Sequence, residues 1–378
     1  MIDAQRLLDY CRAREGWLID TIESLVRIES PTDDKTAVDR CGAELASRLT
    51  ALGGEVTTIM AATAGNHLRA AFGDGPTQIL LLGHFDTVWP VGQLQTMPLT
   101  RDGDRLHGPG VFDMKAGISL AMLATEALFA HAARDRHRVV MLWTTDEETG
   151  SDTSRALVET EARRSRAVLV LEPSLPGGAL KTSRKGCGDY EIVVHGVPAH
   201  AGVDPGKGVS AIRELARQIL SIEALQDLDR GVSVNVGVVS GGSRPNVVAP
   251  SASARVDVRA PSIAEAERID RAFKSLTPHL PGARLEVRGG FSRPPMERSN
   301  AAQLFDVAHD VAATLGQEMR EGSTGGGSDG NFCAALGVPT LDGLGALGDG
   351  AHALHEHVLV SSLVPRAALI AGILGRIA

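Results

Sequence analysis

The chain has 378 residues, of which 43% are hydrophobic and 22% are charged, and its formal net charge is −8. This length exceeds what one hydrophobic core usually supports, so we expect two domains. The negative charge, the lack of a run rich in lysine or arginine and the lack of a long apolar run argue against nucleic acid and membrane partners.

The N-terminal half of the chain alternates helix and strand signals. Apolar residues at helical spacing indicate helices, and short apolar or alternating runs indicate strands. The predicted elements are helices at 18–26, 38–52 and 116–133 and strands at 55–59, 68–72, 78–82, 139–145 and 167–171. This order is typical of a layered α/β domain with helices on both faces of the sheet.

The pattern changes near residue 185. The next elements are predicted in the order strand, helix, strand, strand, helix, strand, which is the ferredoxin-like arrangement. Ser262, followed three residues later by Glu265, is a capping-box signature for the second of these helices. After residue 293 the α/β pattern returns with a helix at 301–315, a glycine-rich loop, a strand at 338–341 and a terminal helix. We therefore predict a domain formed by residues 1–184 and 294–378, interrupted by an inserted α+β domain of residues 185–293.

Four cysteines are scattered along the chain without a Cys-x-x-Cys spacing. They predict free thiols in a reducing compartment, and the first residues lack a secretory signal pattern, so we expect a cytoplasmic protein. A cysteine-based zinc site is excluded, so any bound metal ion must use histidine, aspartate and glutamate ligands.

Three consecutive acids, Asp146, Glu147 and Glu148, come directly after the predicted strand at 139–145. In open α/β sheets, ligands bind at the carboxyl ends of the strands. Adjacent carboxylates repel one another there unless they share a cation or a proton. The triplet therefore predicts a charged centre. On an extended segment, neighbouring side chains point opposite ways, so we expect Glu147 and Glu148 not to be interchangeable.

Other candidate ligands also follow predicted strands. His84 and Asp86 form a His-x-Asp pair, in which a carboxylate can orient a metal-binding imidazole. Asp113 lies in a tight loop before a long helix, where the alternative is a helix N-cap. Glu172 follows another strand, where the alternative is a solvated loop residue. Each residue alone has the simpler explanation, but together they predict one crevice whose mixed ligands suit Zn²⁺.

Near the C-terminus, His352, His355 and His357 lie close together in the sequence. The alternative for this group is that all three are surface residues, and at most one of them needs a function.

Several ordered motifs resemble those of the co-catalytic zinc aminoacylase/carboxypeptidase family. They are His-x-Asp-Thr-Val, Gly-x-x-Asp-Met-Lys, Asp-Glu-Glu-x-Gly-Ser, Leu-Glu-Pro, Ala-His-Ala-Gly and a late His-x-x-x-Glu-x-Val. This family includes glutamate carboxypeptidase, acetylornithine deacetylase and succinyl-diaminopimelate desuccinylase, and the chain is most similar to the glutamate carboxypeptidase branch. The resemblance covers nearly the whole chain. It implies a zinc-exopeptidase-like α/β catalytic domain with an inserted ferredoxin-like lid and dimerisation domain.

The resemblance implies two Zn²⁺ ions per subunit, with cobalt or manganese as other candidates. It also implies a cis peptide bond after the bridging aspartate, between Asp113 and Met114. The late motif favours His352 over His355 as a ligand, because the family ligand comes four or five residues before the glutamate. The implied roles are His84 and Glu172 on one ion, Glu148 and His352 on the other, Asp113 as the bridge, Glu147 as the general base and Asp86 orienting His84.

The inserted domain carries the residues that the resemblance assigns to the substrate. His200 would reach the active site of a partner subunit, which implies a homodimer formed through this domain. Arg293 would bind the free carboxylate of a small-molecule or short-peptide substrate, because the planar guanidinium suits a carboxylate. Asn246, Arg259 and Gly327 would line the same pocket, although each alone is typical of a loop or surface position.

The resemblance implies a di-zinc hydrolase that cleaves an amide next to a free carboxylate. A glutamate carboxypeptidase that releases C-terminal glutamate from N-acyl or folate-like substrates is the first expectation. An N-acyl amino acid deacylase resembling acetylornithine deacetylase is the alternative.

Two other classes of protein are alternatives. The segment 343–348 matches the G-x-G-x-x-G pattern of dinucleotide-binding oxidoreductases. Such a site would need a helix immediately afterwards and an acidic residue about 20 positions further on. A non-catalytic binding protein on the same fold would be expected if a ligand or Glu147 were missing, and none is.

Overall fold

The computed structural model describes residues 3–377. It forms two compact units. The main unit consists of Met1–Ser183, Arg298–Ser323 and Ser328–Ala378, and the inserted unit consists of Arg184–Glu297 and Thr324–Gly327. The short segment Thr324–Gly327 joins the inserted unit, whereas the sequence-based division places it in the other domain.

The elements before the insertion alternate between helices and strands. They are α1 Ala4–Ala13, α2 Glu15–Arg27, α3 Lys35–Ala51, β1 Glu55–Ile59, β2 His67–Phe72, β3 Gln78–His84, β4 Thr100–Asp102, β5 Arg105–His107, α4 Ala116–His131, β6 Arg138–Thr144, α5 Arg155–Arg164, β7 Ser165–Val170 and β8 Leu180–Arg184.

The inserted elements follow the predicted ferredoxin-like order. They are β9 Gly186–His195, α6 Ala211–Glu223, β10 Ser233–Gly241, β11 Ser251–Ala260, α7 Ile263–Lys274 and β12 Arg284–Arg293. The chain then continues with α8 Arg298–Thr314, β13 Glu321–Thr324, α9 Gly330–Ala335, β14 Thr340–Leu341, β15 Gly348–Asp349, β16 His357–Leu359 and α10 Val360–Ile377.

The main unit is built on a six-stranded sheet with the strand order β1-β2-β6-β3-β7-β14. Strands β6, β3, β7 and β14 are parallel; at one edge, β2 pairs antiparallel with β6 and β1 pairs antiparallel with β2. Every residue of β3 is buried, as expected for a parallel strand that is covered on both faces. Leu80 and Leu82 pack in one cluster with residues of α5 and α9, and α4 also contacts β3. The predicted layered α/β architecture is confirmed.

Two predicted elements differ from the structure in their extent. The strand expected at 338–341 is reduced to Thr340–Leu341. Pro339 lacks an N–H and cannot donate to a ladder, although its carbonyl accepts the N–H of Val168. The helix expected at 116–133 ends at His131, and Ala132 is already extended.

Helix α10 is long and apolar enough to cross a membrane by length and composition alone. In the structure its side chains are largely buried, and it packs against α1, α4 and α8. Its apolar composition is therefore explained by its position in the core of the main unit.

The inserted unit contains a four-stranded antiparallel sheet with the order β10-β11-β9-β12. Helices α6 and α7 pack on this sheet around a separate apolar core, in which Tyr190 stacks on Phe273 at a ring-centroid distance of 4.0 Å. The hydroxyl of Ser262 accepts the N–H of Glu265 at 3.2 Å, so the predicted N-terminus of α7 is confirmed.

Candidate metal centre

Two groups of possible ligand atoms lie at one edge of the main sheet. His84, Asp113 and Glu172 form the first group, and Asp113, Glu148 and His352 form the second. Within each group the ligand atoms lie within 4.8 Å of one another. Among the described residues, Asp113 is the member that the two groups share.

The sheet explains why these residues meet. His84 is the last residue of β3, Glu148 follows the end of β6, and Glu172 follows the end of β7. Because β6, β3 and β7 are parallel neighbours, their carboxyl ends lie at the same edge. Asp113 and His352 lie on loops that reach this edge from outside the sheet.

The two carboxylate oxygens of Asp113 face different histidines. Oδ1 lies 3.4 Å from Nε2 of His84, and Oδ2 lies 3.4 Å from Nε2 of His352. His84 Nε2 is also 3.6 Å from Oε1 of Glu172, and His352 Nε2 is 3.1 Å from Oε2 of Glu148. The Nε2 atom of each histidine therefore faces two carboxylates.

The residues fit a pair of divalent cations. Oδ1 of Asp113 is buried and accepts no hydrogen bond from the described residues. Histidine nitrogens and carboxylate oxygens without cysteine are ligands that zinc, cobalt and manganese accept. A carboxylate with one oxygen toward each group is suited to bridge two ions.

The carboxylates and burial at this edge of the sheet shift the pKa values of the candidate ligands. Burial disfavours the protonated form of His84, but the facing carboxylates of Asp113, Asp86 and Glu172 raise the pKa of His84 well above its ordinary value. Hydrogen bonding to Asp113 and Glu148 raises the pKa of His352 to about 10. Burial raises the pKa of Glu148. The cluster of carboxylates thus attracts positive charge, which either a proton or a metal ion can provide.

Asp86 orients His84 from the opposite side of the ring. Nδ1 of His84 lies 3.1 Å from the backbone carbonyl oxygen of Asp86 and 3.3 Å from its carboxylate Oδ1. Asp86 is fully buried, and its Oδ2 accepts a 2.8 Å hydrogen bond from the hydroxyl of Thr32. This arrangement directs Nε2 of His84 toward Asp113 and Glu172.

The acid triplet forms a tight turn. Glu147–Thr149 is a single 3₁₀ turn that Asp146 precedes, so our expectation of an extended segment with alternating side chains is wrong. Asp146 Oδ2 accepts hydrogen bonds from the backbone N–H and the hydroxyl of Thr153, each at 2.7 Å. Asp146 therefore supports the loop. Glu148 is a member of the second ligand group, and Glu147 is buried beside it.

The loop that carries Asp113 is held by a residue whose role the sequence did not reveal. Glu356 is fully buried, and its Oε1 accepts the backbone N–H groups of Phe112 at 2.9 Å and Asp113 at 3.0 Å. Its Oε2 accepts the N–H of Gly110 at 3.0 Å and the indole N–H of Trp89 at 2.8 Å. The helix N-cap alternative for Asp113 is not observed, because Lys115 precedes α4. The Asp113–Met114 peptide bond is cis, as predicted.

In the inserted unit, His200 and Asn246 lie on adjacent loops. Nδ1 of His200 accepts the backbone N–H groups of Gly202 and Val203, each at 3.1 Å, and the side chain is exposed. A neutral His200 therefore carries its proton on Nε2. The backbone carbonyl of Asn246 accepts the N–H of Ala201 at 3.0 Å, which ties the two loops together.

The other substrate residues expected in this unit surround Cys187. A side chain added at Gly327 would meet Sγ of Cys187 at 2.9 Å and Cδ of Arg293 at 3.1 Å, so the loop approaches both closely. Arg259 also contacts Cys187, and it forms a bidentate ion pair with Asp257 at 2.7 and 3.0 Å. The guanidinium of Arg259 therefore already grips a carboxylate of the inserted unit.

The glycine-rich segment 343–348 does not form a dinucleotide-binding turn. It is followed by the short strand β15 and a loop rather than by a helix. A Cβ on Gly345 would lie 2.2 Å from the carbonyl oxygen of Leu171, so this glycine permits close packing against the chain beside Glu172. The segment is a structural part of the sheet edge that carries the two groups of possible ligand atoms.

Comparison with known proteins agrees with this geometry. The family model described as peptidase family M20/M25/M40 matches residues 80–376, which is most of the chain. The chain belongs to this family. A member of the M20 family is a metal-dependent peptidase or amidohydrolase, and the recognition drawn from the motifs is confirmed.

Curated relatives and solved structures resemble the chain along most of its length. Carboxypeptidase G2 of Pseudomonas sp. is 31% identical over 363 residues, covering 92% of this chain and 86% of the relative. Succinyl-diaminopimelate desuccinylase of Halorhodospira halophila is 29% identical, covering 85% of this chain and 89% of the relative. The crystal structure of aminopeptidase PepT from Bacillus cereus superimposes with a TM-score of 0.79 at 23% identity, covering 96% and 98% of the two chains.

Proposed function

We propose that this M20 protein is a di-metal hydrolase that cleaves an amide bond next to a free carboxylate. The observation that carries this proposal is the position of Asp113, whose two oxygens belong to different groups of ligand atoms. His84 and Glu172 would complete one cation site, and Glu148 and His352 the other. Zinc is our first choice of metal, with cobalt or manganese as alternatives.

The side chains around this centre suggest separate catalytic and binding roles. When bound, the two cations would lower the pKa of water and polarise the scissile carbonyl. Glu147 would accept a proton from the attacking water and pass it to the leaving nitrogen, because it is buried beside Glu148 and belongs to neither ligand group. His200 would donate a hydrogen bond from Nε2 to the developing oxyanion, and Arg293 would hold the substrate carboxylate.

For the substrate, we propose first an N-acyl or folate-like compound with a C-terminal glutamate. The 31% identity to carboxypeptidase G2 over most of both chains supports this choice. The second candidate is an N-acyl amino acid, which is supported by the similarity to a desuccinylase. Both substrates present an amide next to a carboxylate, so the metal ligands alone do not distinguish them.

A substrate panel tests this choice. Zinc-loaded protein would be assayed with N-benzoyl and folate-like glutamates, with the corresponding aspartate and alanine compounds, and with N-acetyl amino acids. We expect the highest kcat/KM for release of C-terminal glutamate. A preference for acetyl compounds without release of glutamate would replace the first candidate with the deacylase. The matched glutamate α-amide should be a poor substrate because it lacks the carboxylate.

We further propose that the protein is a homodimer formed through the inserted unit. Strand β10 lies at the edge of its sheet, and Val238 and Val239 on it are exposed by 57% and 55%. Leu220 of the neighbouring helix α6 is 69% exposed. An uncovered strand edge with apolar side chains can pair with the same strand of a second copy.

Sedimentation measurements test this arrangement. The substitution Val238→Lys should shift the protein from dimer to monomer at micromolar concentration. The control Met60→Lys replaces an apolar residue of the main unit that is 75% exposed, and it should leave the sedimentation coefficient unchanged. A wild-type protein that sediments as a monomer would contradict the proposed dimer.

We also propose a reducing compartment such as the cytoplasm. Cys11, Cys41, Cys187 and Cys333 are all free thiols, and the first two and the last are buried. Buried thiols of this kind persist where glutathione and thioredoxin keep cysteines reduced.

A further inference from the structure

A buried arginine stands out in the apolar helix α10. Arg366 is only 3% exposed, although its neighbours along the helix are mostly apolar core residues. One of its terminal nitrogens donates a 2.8 Å hydrogen bond to the carbonyl oxygen of Gly178. Its Nε atom is buried and has no partner among the described residues, and no described carboxylate forms an ion pair with the guanidinium.

Such an arrangement is energetically unfavourable for the protein alone. A buried charge is normally paired, and an arginine in a protein does not become neutral at ordinary pH. Burial lowers the pKa of Arg366 to about 10, so the side chain still carries its charge near pH 7. The guanidinium has five N–H donors, and the single carbonyl of Gly178 satisfies only part of them.

Arg366 lines a cavity of about 290 Å³ in the main unit. Most of the wall is apolar and is formed by Met319, Leu347 and Pro365 together with Gly178. None of the lining residues belongs to the two groups of ligand atoms around Asp113. The cavity is therefore a second concave site with one buried cation in its wall.

The polar groups around the cavity do not neutralise Arg366. Glu318 also lines the cavity, but its side chain is 73% exposed and forms a 2.8 Å ion pair with Arg320. The hydroxyl of Ser362 donates a 2.6 Å hydrogen bond to the carbonyl of Leu359. The positive charge in the wall thus remains available to a ligand from solution.

We propose that this cavity binds a small organic carboxylate with an apolar body. The carboxylate would accept hydrogen bonds from the guanidinium of Arg366, whose planar fork matches the two oxygens. The apolar body would pack against Met319, Leu347 and Pro365. Phosphate fits less well, because it would bring a second negative charge toward Glu318 and polar oxygens against apolar walls.

The experiment uses benzoate as the probe and benzamide as its neutral analogue. The full-length, zinc-loaded protein would be labelled with ¹³C-methyl methionine, since Met319 lies in the cavity wall and reports on it directly. The Met319→Leu variant identifies its signal among those of the eight methionines. We expect benzoate to shift the Met319 signal with saturation in the millimolar range, and benzamide to leave it unchanged at the same concentrations.

Three variants test whether benzoate binds to Arg366 in this cavity. Arg366→Leu should abolish the shift of the Met319 signal by benzoate, and leucine adds no methionine signal. Thermal melting shows whether this variant folds. Arg366→Lys keeps the positive charge but loses the planar guanidinium, so it should weaken benzoate binding by at least about five-fold. It replaces Arg366→Leu as the test if that variant does not fold. Glu318→Gln should strengthen benzoate binding by about two- to five-fold, because it removes a like charge from the cavity.

Two outcomes of these titrations would contradict carboxylate binding at Arg366. Equal shifts by benzoate and benzamide would show that the guanidinium does not recognise the carboxylate. A benzoate shift that persists in folded Arg366→Leu would place the ligand elsewhere, for example at Arg293. Either result overturns the site.

Discussion

The backbone N–H of Asp113 donates a 3.0 Å hydrogen bond to Oε1 of Glu356, a residue 243 positions further along the chain. Glu356 belongs to neither group of ligand atoms, yet it accepts hydrogen bonds from three backbone N–H groups of the loop that carries Asp113. The position of the Asp113 carboxylate therefore depends on a glutamate close in sequence to His352.

We predict that Glu356→Gln weakens metal binding. An amide has one acceptor oxygen, so two of the four donors that Glu356 now satisfies would face an NH₂ group. Loss of such a supporting partner typically costs about 10–100-fold in metal affinity or activity. Zinc affinity, measured by competition with a chelator, should fall by this amount. The control Trp89→Phe removes one donor and keeps the carboxylate, so it should have a much smaller effect; equal zinc affinity of Glu356→Gln and wild type would contradict this role.

Substitutions of the two glutamates in the 3₁₀ turn should have different effects on metal binding and turnover. Glu147→Gln should retain two metal ions per chain, because this residue is in neither ligand group, but its turnover should fall by about 10²–10⁴-fold. Glu148→Gln should lose metal, because its carboxylate lies 3.1 Å from Nε2 of His352 within the second group. Metal content by mass spectrometry and kcat on the same samples provide the measurement. Full activity of Glu147→Gln would rule out its role as the base.

Mixing two inactive variants tests whether His200 acts across subunits. His200→Ala and Glu147→Gln should each be inactive alone. In a mixed dimer, one site would combine an intact Glu147 with an intact His200 of the other subunit. After subunits exchange at equal concentrations, we expect about one quarter of the wild-type activity. If His200 served its own subunit, the mixture would remain inactive while each variant stayed dimeric.

The inserted unit should become less stable in acid through Glu214. This side chain is fully buried and accepts hydrogen bonds from Gln218 at 2.7 Å and from the backbone N–H groups of His279 and Leu280 at 2.9 and 2.7 Å. Burial raises its pKa, but these hydrogen bonds outweigh burial and hold the pKa below the usual value of 4.5. Its stabilising effect is therefore present above pH 4.5 and is lost as the pH falls through the lower, folded-state pKa.

The substitution Glu214→Gln tests this dependence. It should lower the free energy of unfolding by about 1–3 kcal/mol at pH 7, and the difference from wild type should shrink below pH 4. Urea unfolding followed by circular dichroism from pH 3.5 to pH 8 measures both values. Glu223→Gln changes an exposed residue on the same helix and should have no such effect. A difference that is constant across this pH range would exclude Glu214 as the titrating group.

Sequence reasoning worked where a side chain follows a recognisable strand or motif. His84, Glu148 and Glu172 could be placed at one sheet edge because the strands before them are apolar runs and parallel strands end together. The position of Glu356 was not predictable in this way, since its partners are backbone N–H groups that carry no signature in the sequence. The burial of Arg366 was also missed, because it depends on how α10 packs in three dimensions.

The triplet of acids illustrates an expectation that rested on a wrong premise. Different roles for Glu147 and Glu148 were expected from an extended backbone, but the residues lie in a 3₁₀ turn. A turn of this kind forms where a strand ends and local hydrogen bonds take over, and Asp146 supplies two of them through Thr153. Three polar residues in sequence do not distinguish a turn from an extended segment.

The second ligand group is assembled from parts of the chain that a ribosome produces far apart in time. Asp113 and Glu148 are made before the inserted unit, whereas His352 and its neighbour Glu356 are made after it, just before helix α10. A nascent chain that has grown only through the inserted unit thus holds His84, Asp113 and Glu172 but lacks His352, one of the three members of the second group. The order of synthesis would therefore delay a two-ion centre until the segment after the inserted unit has been made, and chains released before that point would lack a ligand of the second group.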